Sequence, residues 1–154
     1  MNVLVVNGPN LNLLGEREPE IYGRKTLRDL EREVSAHARK LRQRVRFFQS
    51  NHEGEIVDEL HRLRKWADAI VINPAAFTHY SYAIRDALKA VARPAVEVHL
   101  SDVESRAATE GDFRKISVVR DVCVHRFTGE GIGSYLKALD ALAADRAAAR
   151  KRRR

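Results

Sequence analysis

The sequence holds one cysteine, one methionine and one tryptophan in 154 residues. A lone Cys123 can form neither an intrachain disulfide nor a cysteine zinc site. In its apolar run it reads as a small buried hydrophobe rather than a nucleophile. No apolar run approaches the roughly 18 residues of a membrane-spanning helix. The opening Met-Asn-Val-Leu-Val-Val-Asn-Gly lacks the charged leader of a secretory signal, so a cytoplasmic location is expected. The glycine fingerprint of dinucleotide binding is missing, and so is a P-loop. Pro9-Asn10-Leu11-Asn12 is not the Ser, Thr and Gly run that cradles a flavin phosphate. The strand ends carry no acidic cluster of the kind that accepts a phosphoryl group. His52, Glu53, His79 and His99 lack metal-ligand spacing. The lysines sit on polar helical faces, in loops or in the tail, whereas an imine-forming lysine belongs in an apolar site. No cofactor and no metal is expected.

What remains is a chain that is 44% hydrophobic, enough for one core at this length. The formal charge is +7, and Arg150–Arg154 supply five of those charges. We read residues 1–149 as a single catalytic domain and 150–154 as a basic C-terminal tail, the solvated end of a helix. Without aromatics between its basic residues it is no stacking platform, so nucleic acid is not an expected partner.

Short β-branched or apolar runs alternate with helical patterns. Val3–Val6, Val45–Phe48, Ala69–Ile72, Ala95–Leu100 and Val122–Phe127 read as strands. Thr26 caps a first helix, with Asp29 as the reciprocal partner. Ile56, Val57, Leu60, Leu63 and Trp66 mark a second helix. A third runs from Ala76 to Val91, starting near Thr78, and a last one from Tyr135 to Ala149. Ser101 to Ser117 reads as a second long polar loop with at most a short helical turn. His37 and His61 fall on solvated helical faces, and His125 is a structural mid-strand histidine. Such alternation predicts an α/β fold: a flavodoxin-like, five-stranded parallel sheet of order 2-1-3-4-5 with helices on both faces.

In such sheets ligands bind beyond the carboxyl ends of the strands, at the switch point between the first and third. Those ends deliver Asn7 and Asn10, then Asn73, then Glu97, His99 and Ser101. Between the first strand and the first helix lies Asn7–Gly23, with neither helical period nor strand alternation. A loop of that length in a compact domain is usually a lid or a binding loop. Its apolar Leu11, Leu13, Leu14 and Ile21 argue for a folded lid carrying Arg17 and Tyr22. Arg106, Arg114, Thr78 and His79 complete a pocket suited to a small polyhydroxylated anion. Its chemistry is proton transfer. A guanidinium beside Tyr22 favours the phenolate, a base. His99, oriented by Glu97 or a backbone carbonyl, is the complementary acid. Asn10 or Asn73 can hold a water or an oxyanion. Together these groups describe an elimination of water next to a carbonyl.

At these residues the chain resembles the type II 3-dehydroquinate dehydratase family, over nearly its whole length. The resemblance is carried by Asn7-Gly-Pro-Asn-Leu-Asn-Leu-Leu-Gly-Glu-Arg-Glu-Pro-Glu-Ile-Tyr-Gly23, Phe48-Gln-Ser-Asn-His-Glu-Gly54, Ile72-Asn-Pro-Ala-Ala-Phe-Thr-His79, Ile84-Arg-Asp-Ala-Leu88 and Val96-Glu-Val-His-Leu-Ser101. It implies anti elimination of water from 3-dehydroquinate to 3-dehydroshikimate through an enolate, in aromatic biosynthesis by the shikimate pathway or in quinate breakdown. Tyr22 is then the base, Arg17 the group that keeps it ionised, and Asn10 the holder of the water at the enolate. His99, oriented by Glu97, is the acid. Asn73, His79, Leu100, Ser101, Arg106 and Arg114 are implied to bind substrate. Asp86 is implied to reach a neighbouring subunit in a homo-oligomer of trimers assembling to a dodecamer. The chain departs from the family pattern at Asp102 and Glu104, at Ala75, in an expanded loop before Phe113, and through Arg120–His125. Two other readings stay open: a dehydratase for a related cyclic hydroxy-keto acid, and a non-catalytic module that binds small anions.

Overall fold

A computed structural model describes residues 1–16 and 23–152. Five strands, β1 (Asn2–Asn7), β2 (Arg44–Gln49), β3 (Ala69–Asn73), β4 (Ala95–Val98) and β5 (His125–Phe127), form one sheet of order β2-β1-β3-β4-β5. Every pairing is parallel. The helices are α1 (Leu27–Lys40), α2 (Glu53–Leu63), α3 (Tyr82–Val91), α4 (Val103–Glu110) and α5 (Ile132–Arg152).

Alternation along the strands explains the two layers. Val3 and Val5 of β1, Val71 of β3, and Val96 and Val98 of β4 face one way. They meet Leu30, Val34 and Ala38 of α1 and Tyr135, Ala138, Leu139 and Leu142 of α5. Leu4, Val6, Ile70 and Ile72 face the other way, against Ile56, Leu60 and Leu63 of α2 and Ile84, Leu88 and Val91 of α3. Each fully buried aliphatic side chain contributes about 1.5–3 kcal/mol relative to exposure. Because both faces are covered, the central strands are apolar throughout, as buried parallel strands require.

Thr26 and Asp29 form the expected reciprocal cap of α1. Elsewhere the boundaries move. The third helix does not begin near Thr78. Ala75–His79 is a 3-10 turn, and Ser81 caps α3 by accepting from the Ile84 amide at 3.0 Å. The expected polar loop after Ser101 contains α4, because the Asp102 carboxylate accepts from the Glu104 and Ser105 amides, both at 3.1 Å. β4 ends at Val98, although the His99 amide still donates to the Phe127 carbonyl. β5 begins only at His125, since Arg120–Val122 forms a 3-10 turn. α5 extends beyond the expected helix at both ends, and Arg150, Lys151 and Arg152 form its last turn. Cations there complement the negative end of the helix dipole.

His37 is not simply solvated. Its Nε2 lies 2.8 Å from Asp140 and ties α1 to α5. His125 pairs with Asp145 at 2.9 Å and ties β5 to α5. Cys123 is buried, and burial, with the Glu97 charge adding to it, pushes its thiol up to about 12. An unreactive, protonated thiol follows. No helix among the described residues is long and apolar enough to cross a membrane.

Candidate active site

The switch point sits where β1 and β3 diverge. Asn7 and Asn73 are register partners at the ends of these strands, and both are buried. Tyr135 of α5 reaches between them. Its hydroxyl donates to Asn7 Oδ1 at 2.7 Å and accepts from Asn73 Nδ2 at 2.9 Å. Asn73 Oδ1 in turn accepts from the Ala75 amide at 3.1 Å. Complete burial pushes the Tyr135 phenol upward, so it stays protonated as a donor. Tyr135→Phe strands one buried acceptor and one buried donor, each costing about 1–3 kcal/mol. Urea unfolding should show a lower midpoint with an unchanged slope. An unchanged midpoint would mean that the network carries no stability.

Above this floor is a cavity of about 140 Å³. Asn10, Asn73 and His79 line it. Asn10 adopts a left-handed backbone (φ 67°), and its amide is anchored to Asn51 Oδ1 at 2.9 Å. Leu11 and Leu14 supply an apolar wall, while Leu13 is 41% exposed rather than packed as a lid residue. His99, Leu100, Ser101, Arg106 and Arg114 line it as well. Turn contacts fix Leu100 and Ser101, because their carbonyls accept from Gly131 and Gly129.

Glu97 lies behind His99, 0% exposed, with Oε1 at 2.7 Å from His99 Nε2. Ser117 Oγ donates to both carboxylate oxygens, at 2.9 and 3.0 Å. Burial acts to raise the Glu97 pKa. The His99 hydrogen bond and charge, Arg126 and Ser117 outweigh it and hold the carboxyl below the usual range. An ionised Glu97 accepts from Nε2–H, which leaves Nδ1 as the ring nitrogen that exchanges a proton.

His79 is set differently. Its Nδ1 donates to the Ile116 carbonyl at 2.7 Å. Burial lowers its pKa, and the charges of Arg114 and His99 add to that against the Ile116 hydrogen bond; Nε2 lies 3.5 Å from Arg114 Nη1. Glu110 grips Arg106 through Nε (2.6 Å) and Nη2 (3.0 Å), and Arg114 through Nη2 (2.7 Å). The Arg106 hydrogen bond is the main reason that its carboxyl sits below the usual range. Glu110 is the last residue of α4, the unfavourable end of the dipole for an anion; two guanidiniums offset that. Arg114 Nε is buried without a hydrogen-bond partner, a donor aimed at the site wall.

The cavity thus gathers Asn10, Asn73, His79, His99, Leu100, Ser101, Arg106 and Arg114, with Glu97 directly behind. Asp86 lies elsewhere: its side chain is 72% exposed on α3 and pairs with Arg85 at 3.0 Å. Arg17 and Tyr22 lie outside the described residues. Among the described residues no cluster of three His, Cys, Asp or Glu is placed to hold a metal. Four contributors were not expected as site residues. Tyr135 announces itself only as part of the α5 stripe Tyr135, Ala138, Leu139, Leu142. Ser117 and Arg126 have no local signal, because their partner Glu97 lies in a distant segment, whereas Glu110 stands four residues from both Arg106 and Arg114, a helical spacing that could have found it.

The profile of the family described as Dehydroquinase class II matches residues 1–143. The chain belongs to the class II dehydroquinase family. The 3-dehydroquinate dehydratase of Caldicellulosiruptor bescii is 52% identical over 141 residues, 91% of this chain and 94% of that one. That of Thermotoga petrophila is 53% identical over 140 residues, 91% of this chain and 93% of its own. The crystal structure of a type II dehydroquinase from Butyrivibrio crossotus superposes with a TM-score of 0.86 at 44% identity, covering 92% of this chain and 97% of that one. Within a dehydroquinase fold, His99 and Asn10 line one cavity, with Glu97 hydrogen-bonded to His99.

Proposed function

We propose that this chain is a hydro-lyase that converts 3-dehydroquinate to 3-dehydroshikimate. The observation that carries the reading is the buried, hydrogen-bonded Glu97–His99 dyad, whose His99 lines a small polar cavity together with Asn10. The substrate carries a ketone at C3 and a leaving hydroxyl at C1, so the C2 proton is acidified by the carbonyl. In this reading the Tyr22 phenolate, kept ionised by Arg17, removes that proton. The C–H electron pair becomes an enolate, whose oxygen is held through a water on Asn10. When the carbonyl reforms, the electron pair becomes the C1–C2 double bond and the C1–O bond breaks. His99 Nδ1 gives its proton to the departing hydroxyl, which leaves as water. Proton transfer from Tyr22 back to His99 resets the site.

Base and acid approach from opposite sides of the ring, which makes the elimination anti. Arg114, His79, Asn73, Arg106 and the amides of Leu100 and Ser101 hold the carboxylate and hydroxyls. The exposed Asp86, near the exposed Tyr80 and Tyr82, faces a neighbouring subunit in a trimer-based assembly such as a dodecamer.

The test adds 3-dehydroquinate to the purified protein and follows the ultraviolet absorbance of the conjugated enone, with sedimentation run on the same sample. Turnover by a multi-subunit species is expected. A folded protein with no turnover would overturn the assignment, and an active monomer would overturn the role of Asp86.

A further inference from the structure

Arg126 of β5 is the register partner of Glu97 on β4. Its side chain is 16% exposed, and Nη1 donates to Glu104 Oε1 at 3.0 Å. Nε stands 3.4 Å from Glu97 Oε1, close enough for charge attraction but not aligned as a hydrogen bond. Nε and Nη2 are both buried without hydrogen-bond partners. A guanidinium is charged at every working pH. Burying one with two donors unmade does not maximise stability, since a well-packed apolar residue often does as well at such sites. Its position explains it better. Arg126, Ser117 and His99 converge on Glu97, and Arg126 alone brings a permanent positive charge.

The other charged or titratable groups around the dyad are accounted for among the described residues. On the Ala75–His79 turn, burial holds the His79 pKa below its usual value. The Cys123 thiol is protonated. Arg106 and Arg114 share the Glu110 carboxylate. Glu104 of α4 is 66% exposed and pairs with Arg126, and Asp102, which caps α4, also feels the Arg126 charge.

We propose that Arg126 is a positioning residue for the acid: it competes with His99 for the Glu97 carboxylate and so sets how far up the pH scale His99 keeps its proton. The Arg126 charge opposes the imidazolium, so its removal must favour the protonated ring. Removing Glu104, the anion on the far side of Arg126, must act in the opposite direction. The kinetic part of the test rests on the dehydratase reading; the spectroscopic part does not.

The His99 ring is titrated by NMR in ring-labelled full-length protein, in wild type, Arg126→Met, Arg126→Lys and Glu104→Gln. In Arg126→Met the midpoint should rise by about one pH unit, the scale of a nearby charge. The alkaline limb of kcat should move with it, while KM for 3-dehydroquinate stays within about twofold. Arg126→Lys should titrate near wild type, because the charge is kept. Glu104→Gln, at an exposed position, should lower the midpoint. A folded Arg126→Met with an unmoved or lowered midpoint overturns the proposal, as does a lysine variant that behaves like methionine. If Arg126→Met fails to fold, an unmoved midpoint in Glu104→Gln overturns it. Should wild type not turn over 3-dehydroquinate, the functional reading fails and the ring titration still decides the role of Arg126.

Discussion

Replacing His99 by alanine should cut kcat by about 10²–10⁴, the usual contribution of a positioned general acid. Glu97 stays compensated by Ser117 and Arg126, so the fold should survive the loss of its third partner. The defect belongs to the second half of the reaction, the departure of hydroxide without a donor. Enolate formation should therefore outlast turnover. In deuterated water, His99→Ala should still wash deuterium into C2 of 3-dehydroquinate while enone absorbance barely rises. A variant that retains more than a tenth of wild-type kcat would remove His99 from the role of acid.

Tyr22→Phe should be equally severe, about 10²–10⁴ in kcat, and its failure should differ in kind. The substitution deletes one oxygen and keeps the ring. Without the phenolate the first proton is never taken, and both C2 exchange and enone formation should disappear together. Exchange at the wild-type rate in Tyr22→Phe would assign the base to another group. The pair of variants thus separates the two proton transfers, which a loss of activity alone would not do.

The layers of this fold were legible because the strands are short and their residues unambiguous. Val3, Leu4, Val5 and Val6 leave no polar position, so the strand must be buried on both faces. Thr26 with Asp29 was readable because the cap closes within three residues. α4 was missed for the opposite reason. Only Val103 and Ala107 are buried on it, too few to make a stripe, and Asp102 was the single cue. At the site, Asn10, Asn73, Glu97 and His99 were legible from strand ends alone, since topology dictates where such ends gather. Tyr22 and Arg17 were singled out on the long loop from residue chemistry, and the family resemblance implies the same base and partner; both lie outside the described residues. Tyr135 meets Asn7 across 128 residues of chain, and Ser117 meets Glu97 across 20. Pairings of this kind are consequences of the fold and leave no trace in composition or spacing.

The sheet order also bears on how the chain emerges during synthesis. β1 is made first but lies in the interior of the sheet, between β2 and β3. It has no partner until residue 44 has been made, and its second edge stays open until β3 follows. Tyr135, which closes the floor between Asn7 and Asn73, arrives last of all. Pairings this distant in sequence form slowly, and unpaired edges of apolar strands invite association. Until β2 follows, the nascent chain therefore presents an apolar strand with nothing to pair with, and the Asn7–Tyr135–Asn73 network comes into being only as the final helix docks.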